Sequence, residues 1–116
     1  MDLLFDTDEN HIVCTLTDGA NVATVTASNP EAADALQGAL DEARETGFGE
    51  CLWIEAGGEY RWMFRRNDDR LIVVVLWSAG TLTGWQHVFR TDTDFAWFAE
   101  RMGTEVAGLG TALRGH

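Results

Sequence analysis

Apolar residues alternate with polar ones through much of residues 51–90, and short turn signals divide this stretch into four runs. Alternation with a period of two is typical of strands with one buried face, and Gly, Asn and Asp at the breaks favour tight hairpins. The run Leu71–Trp77 is continuously apolar, which indicates a strand in the middle of its sheet. The pattern therefore predicts a four-stranded antiparallel meander. Its predicted strands are Cys51–Ala56, Glu59–Arg66, Arg70–Trp77 and Leu82–Arg90.

The N-terminal part of the chain shows the same alternation in two further runs, His11–Thr17 and Asn21–Ala27. The Asp18-Gly19 dipeptide between them is a hairpin signal, since both residue types favour two-residue turns. Residues 2–6 could add a short edge strand. We therefore expect a hairpin, with or without a third strand, ahead of the meander.

Helical spacing replaces alternation in two places. Asn29 can cap a first helix and Pro30 suits its first turn, while Gly47 favours its end. Residues 91–94 offer caps for a second helix, which glycines should weaken beyond about residue 107. The apolar stripes that define these helices are Ala32, Leu36, Ala39, Leu40 and Ala43, then Phe95, Phe98, Met102, Val106, Leu109 and Leu113.

The predicted order ββ(β)–α–ββββ–α is that of a single α+β domain over residues 1–116, in which both helices cover one face of an antiparallel sheet. Loops of two, three and four residues place Trp53, Trp62, Val74 and Trp85 in one cross-strand row. The Ala-rich helix suits close packing over such bulky side chains, so we expect this face to be the core.

The opposite face of the meander mixes apolar and charged side chains. An uncovered mixture of this kind is typical of protein interfaces, where Arg and Trp are enriched. The alternative to an interface is that the N-terminal hairpin or a loop of the same chain covers this face. The residues expected on this face are Leu52, Ile54, Met63, Val73, Val75, Trp77 and Val88, together with Glu59, Arg61, Arg65 and Gln86.

The charge is strongly acidic and unevenly distributed. The chain carries 19 Asp and Glu against 8 Arg, a net charge of −11. Residues 1–50 hold eleven acidic residues and one Arg, whereas residues 51–116 hold eight and seven. Such a field repels nucleic acid and anionic membrane surfaces. It either serves solubility alone or steers basic partners toward the molecule.

The sequence contains few residues arranged for chemistry. Cys51 and His87 could approach each other in the sheet as a nucleophile and base, but both are expected in the core. Three His and two Cys show no metal-ligand spacing, so no cofactor is expected. We expect a cytoplasmic protein, because the thiols are free, the N-terminus has no basic residues and no apolar run is long enough to span a bilayer.

The segments GGEYRWMFRRNDDRLIVVVLW and DTDFAWFAERM, together with the size and acidity of the chain, resemble a class of small acidic bacterial proteins. Many of these are uncharacterised and some are immunity proteins of polymorphic toxin systems. The resemblance covers about half of the chain and assigns no role to an individual residue. It implies tight stoichiometric binding to a toxin, with no reaction performed.

Two functional hypotheses result. The first is a non-enzymatic protein-binding module, immunity- or inhibitor-like, whose partner is a basic toxin or a second copy of the chain. Its binding residues would be Glu59, Arg61, Arg65, Trp77 and Gln86. The second is a small-molecule-binding domain with an aromatic pocket between sheet and helices. Its pocket would be lined by Trp53, Tyr60, Trp62 and Trp85.

Overall fold

The fold is α+β, as predicted, with the elements in the order βββ–α–ββββ–α. The computed structural model describes residues 1–9, 11–80 and 84–114, with side chains described as far as residue 109. The strands form a three-stranded sheet of order β1-β2-β3 and a four-stranded sheet of order β4-β5-β6-β7. Their bounds are β1 Asp2–Asp8, β2 His11–Asp18, β3 Asn21–Ala27, β4 Phe48–Glu55, β5 Gly58–Asn67, β6 Arg70–Ser78 and β7 Gln86–Asp94, and the helices are α1 Ala32–Thr46 and α2 Phe95–Arg114.

The three-stranded sheet contains the predicted N-terminal hairpin, and residues 2–6 belong to a full edge strand, β1. Helix α2 closes the free edge of β1. Glu105 accepts a hydrogen bond from the backbone N–H of Phe5 at 2.8 Å, and Arg101 donates to the carbonyl of Leu3 at 2.9 Å. The last helix therefore supplies hydrogen-bond partners to a strand that would otherwise present an unpaired backbone.

The four-stranded sheet is the predicted meander with one turn shorter than expected. Asn67 pairs directly with Arg70, so the turn contains two residues rather than three. Because side chains alternate between faces, this one-residue difference exchanges the two faces of β6. A β-bulge lies between β6 and β7 next to Val75. The predicted beginning of the last strand at Leu82 lies outside the described residues.

Helix α1 packs closely on β4 because the side chains on both facing surfaces are small. The face of α1 toward the sheet is mostly alanine, as predicted. A Cβ atom placed on Gly49 of β4 would lie 1.9 Å from the carbonyl oxygen of Ala39, so glycine is required for this approach. Gly47 ends the helix as expected, with a φ of 91° and its N–H bonded to the carbonyl of Ala43.

Helix α2 begins where the sequence indicated, since the carboxylate of Asp94 accepts the N–H of Trp97 at 2.8 Å. It packs on the same face of the four-stranded sheet as α1, with the Phe98 ring 5.7 Å from that of Phe64. The expected break beyond about residue 107 is absent, since the backbone stays helical to Arg114, and the expected fraying stays a prediction. The side chain of Leu113 lies outside the described residues.

The core lies between the two sheets and the helices, and Trp53 and Trp62 are fully buried in it. The prediction that the alanine-rich helix covers Trp53 is confirmed, since its indole N–H donates to the carbonyl of Ala32 at 3.0 Å. The indole N–H of Trp62 is buried without a hydrogen-bond partner among the described residues.

Candidate functional site

The candidate site is the outer face of the four-stranded sheet, which we define as the side turned away from α1 and α2. Every second residue of each strand contributes to it, as the cross-strand register shows. Its members combine large apolar side chains with both signs of charge. They are Phe48, Glu50, Leu52, Ile54, Glu59, Arg61, Met63, Arg65, Arg70, Ile72, Val74, Leu76, His87, Arg90, Asp92 and Asp94.

Large apolar side chains are unusually exposed on this face. Phe48, Leu52 and Ile54 of β4 retain 45%, 49% and 50% of their accessible surface, and Trp85 next to the sheet retains 41%. These are four of the seven large hydrophobic side chains found exposed in the described part of the chain. A contiguous apolar patch with polar neighbours typically marks an interaction site.

Arg61 and Glu50 organise the part of the outer face next to β4. The guanidinium of Arg61 donates to the carboxylate of Glu50 at 2.5 Å and lies 5.8 Å from the ring of Trp85. Leu52 completes the walls of a small cavity of about 410 Å³ at this place. The Arg61 charge is therefore neutralised within the chain.

Arg65 and Arg90 are placed differently. Both line a groove of about 550 Å³ whose floor is Met63, Ile72 and Val74, with Phe48 at its side. Neither forms an ion pair or a side-chain hydrogen bond with another described residue, whereas every other Arg whose side chain is described does so. Two Arg side chains without an anionic partner among the described residues therefore lie beside one apolar surface, in a chain with a net charge of −11.

The structure brings together three of the five residues predicted to bind a partner. Glu59, Arg61 and Arg65 lie on the outer face. Trp77 and Gln86 do not lie on the outer face, because the shorter turn exchanges the two faces of β6. Trp77 pairs with Tyr60 on the core side, and the centroids of their rings are 4.6 Å apart. Gln86 is paired with Trp77.

The predicted core-facing and outward residues of β6 were wrong for the same reason, and in β7 the bulge next to Val75 changes the register again. Val73 and Val75 are fully buried, and the outer face instead has Ile72, Val74 and Leu76. Sequence reasoning also missed Phe48 and Arg90. Phe48 could have been found by extending the alternation of β4 three residues toward Gly47, whereas Arg90 depends on the bulge.

The four residues of the predicted aromatic pocket do not share one cavity. Trp53 and Trp62 are core side chains packed at a ring distance of 5.2 Å. Trp85 lies on the opposite side of the sheet, next to Arg61. Tyr60 is partly buried, and burial followed by the nearby Glu55 carboxylate raises its pKa.

Cys51 and His87 are separated by the sheet. Cys51 pairs with the buried Trp62, whereas His87 pairs with Leu76 and is exposed on the outer face. Burial and, secondarily, the charge of Glu50 raise the pKa of Cys51 to about 12. This thiol is therefore protonated at neutral pH and is a poor nucleophile.

We expect alkylation of Cys51 by iodoacetamide at pH 8 to be roughly a thousandfold slower in the native protein than in the urea-unfolded chain, since the thiolate fraction falls tenfold per pKa unit. The native rate should still be rising tenfold per pH unit at pH 10, where the unfolded chain has levelled off. Mass spectrometry of the Cys51 peptide measures both rates. Equal rates at pH 8 would show that the thiol is accessible and ionised.

The described residues contain neither a cluster of metal-binding side chains nor a helix that could span a membrane. Within them, no three His, Cys, Asp or Glu side chains are grouped closely enough to hold a metal ion. No helix of the described chain has the length and hydropathy needed to cross a bilayer.

Comparison of the chain with protein-family models, curated proteins and solved structures found no match in any of the three.

Proposed function

We propose that the protein is a non-enzymatic binding module that neutralises a partner protein through the outer face, as an immunity protein or inhibitor does. The observation that carries this proposal is the groove between Arg65 and Arg90. Its floor is apolar, and its two guanidinium groups have no anionic partner among the described residues. Such a groove is suited to an apolar side chain next to a carboxylate.

The charge distribution adds a second property of the partner. The outer face holds four Arg and four Asp or Glu, so it is neutral. The rest of the chain holds the remaining four Arg and fifteen acidic residues and carries the whole net charge of −11. A partner that is basic overall would be steered toward this body and would then dock on its neutral face.

The proposed partner is therefore a basic protein, such as a toxin, that anchors itself with one carboxylate and adjoining apolar side chains. Truncating one side of an Arg–carboxylate contact that is desolvated at the centre of an interface typically costs at least about 2 kcal/mol of binding free energy. The flanking Phe48 and Val74 would exclude water from it. We place this action in the cytoplasm, since both cysteines are free thiols.

The double variant Arg65→Ala/Arg90→Ala is expected to lose the partner while keeping its fold, because both side chains are exposed. Affinity capture from lysate of the source cells, followed by binding kinetics with the captured protein, measures the loss. A decrease in affinity of at least about 30-fold corresponds to the contacts removed.

Arg44→Ala is the matched control, since Arg44 is an exposed Arg of α1 that, among the described residues, forms an ion pair only with Asp41 on the same helix. It should bind like the native protein. Binding should also slow with added salt, as steering requires. If the captured protein binds the double variant with the same affinity as the native protein, the groove between Arg65 and Arg90 is not its site. If the captured protein is acidic and its binding rate does not depend on salt, the proposed class of partner is incorrect.

A further inference from the structure

The outer face presents, at one end of the sheet, the kind of group that the groove at its other end is suited to hold. The groove lies where β4 begins, and Arg65 and Arg90 beside it have no anionic partner among the described residues. Where β4 ends, Trp85 is 41% exposed and lines, together with Glu59, a cavity of about 420 Å³. The chain therefore offers an apolar side chain next to a carboxylate.

Glu59 differs from the other acidic residues of the outer face. Its carboxylate forms no ion pair and accepts no hydrogen bond within the described part of the chain. The other three carboxylates have partners, which are Arg61 for Glu50, Arg70 for Asp92 and the backbone N–H of Trp97 for Asp94. The outer face is therefore neutral as a whole but has opposite charges toward its two ends.

We propose that two copies of this chain associate through their outer faces, so that Trp85 and Glu59 of each copy occupy the groove of the other. Glu59 and Arg65 lie six residues apart on β5, or about 20 Å. A twofold axis that lies between the two faces and crosses β5 at right angles near Trp62 exchanges these two positions. Both ion pairs then form at once, as an interface between two identical surfaces requires.

The same axis brings Trp85 into the groove. Its ring lies 5.8 Å from the guanidinium of Arg61. Arg61 and Met63 lie at equal distances from the axis, so the ring of one copy comes over Met63 of the other, on the floor of the groove. The two guanidinium groups beside the groove are then close to an aromatic ring, which attracts cations to its face. Trp and Arg are also the residues most enriched among the strong contacts of interfaces.

Apolar residues of β4 meet each other in this arrangement. Phe48 pairs with Arg65 and Ile54 with Glu59, so Phe48 of one copy faces Ile54 of the other. Both side chains are about half exposed in the single chain, at 45% and 50%. The outer face measures about 20 Å by about 25 Å. The dimer therefore buries about 1,000 Å² in total, at the lower end of specific interfaces.

The charge distribution also favours contact through this face. Each copy has a net charge of −11, to which the outer face contributes nothing. Face-to-face association therefore keeps the acidic bodies of the two copies on opposite sides of the dimer. A contact of this size should dissociate on dilution between about 1 mM and about 10 µM. Salt screens the remaining repulsion between the copies and should strengthen the dimer.

The dimer itself goes beyond the proposed function, since it requires no other protein. Only one consequence rests on that function, namely that a second copy and a partner protein compete for the same groove. Glu59 does not line the groove. A change at Glu59 should therefore remove the dimer and leave the groove between Arg65 and Arg90 intact.

Exchange of charges tests the dimer. Glu59→Arg and Arg65→Glu should each weaken it by at least about 30-fold, because each places like charges opposite each other. The double variant Glu59→Arg/Arg65→Glu should restore it, because the ion pair forms again in the reverse sense at the native net charge. Glu42→Arg is the matched control, since Glu42 is exposed on α1 and the change in charge equals that of Glu59→Arg. Sedimentation equilibrium between about 10 µM and about 1 mM measures these dissociation constants.

Trp85→Ala should likewise weaken the dimer by at least about 30-fold. Trp97→Ala should dimerise like the native protein, since Trp97 lies on α2 and is 36% exposed. A native protein that stays monomeric to about 1 mM, where even a weak interface associates, would overturn the proposal. A double charge variant that associates no better than the single variants, or equal dimerisation of the two tryptophan variants, would do the same. Each of these results leaves the partner site to its own test with Arg65→Ala/Arg90→Ala.

Discussion

Replacing Gly49 with alanine is expected to destabilise the protein by about 3 kcal/mol or more, because overpacking against a rigid neighbour exceeds the usual cost of an added methyl group. The new Cβ would lie 1.9 Å from the carbonyl oxygen of Ala39 and 2.9 Å from its carbonyl carbon. Both are backbone atoms of α1, so no side-chain rotation can relieve the contact. The helix would have to move off β4 and open the core over Trp53.

Gly38→Ala is the matched control for this change, since Gly38 lies in the same helix and an added Cβ there meets nothing within 4 Å. Removing a glycine from an exposed helix position should stabilise the protein by up to about 1 kcal/mol. Urea unfolding followed by circular dichroism measures both free energies of unfolding. Variants of equal stability would show that α1 does not approach β4 as closely as the structure has it.

Trp53→Phe is expected to cost more stability than Trp62→Phe, by about 1–3 kcal/mol, since the first change removes a buried hydrogen bond whereas the second removes a buried donor that has no partner among the described residues. Both tryptophans are fully buried and their rings are in contact. The indole N–H of Trp53 bonds to the carbonyl of Ala32 at the beginning of α1, whereas that of Trp62 has no partner among the described residues.

The comparison of the two variants cancels most of the shared loss of packing, because each replaces the same side chain in the same cluster. The difference between their free energies of unfolding, measured by urea titration, therefore reports the Ala32 contact. Trp62→Phe should cost only the volume change. If Trp62→Phe proved the more destabilising of the two, the N–H of Trp62 would have a partner in solution.

The elements that could be predicted from the sequence are those whose signals are local. Gly47 has the positive φ that ends a helix, and Asp94 lies among the caps predicted for α2. The hairpin at Asp18-Gly19 required only its turn residues and the alternation on either side. Within each of these elements, hydrogen bonds between near neighbours decide the structure, so a short stretch of sequence is sufficient.

The faces of β6 could not be predicted because they depend on the turn length, and Asn67 is as suitable for a strand end as for a turn. The positive φ of Asp68, at 55°, shortens the turn to Asp68-Asp69. One residue was enough to move Trp77 to the core side and Val74 outward. Only part of the site could therefore be predicted. Arg61 and Arg65 precede the turn and were placed on the correct face, whereas Arg90 follows the turn and was missed.

The division of the strands into two sheets also lay beyond sequence reasoning, since it depends on contacts between distant residues. The hydroxyl of Thr91 donates to the carboxylate of Asp18 at 2.5 Å, and Thr26 to that of Glu55 at 2.9 Å. These bonds join the hairpin to opposite edges of the meander. No periodicity within either segment indicates them.

The closure of β1 by α2 has a consequence for how the chain is made. Domains begin to fold during synthesis from the N-terminus, but Arg101 and Glu105 emerge from the ribosome nearly a hundred residues after Leu3 and Phe5, which they cover. Through most of translation the three-stranded sheet therefore exposes a strand edge that can pair with another nascent chain. Chains that stop before residue 101 should accumulate in inclusion bodies, while those that reach the end of α2 should remain in solution.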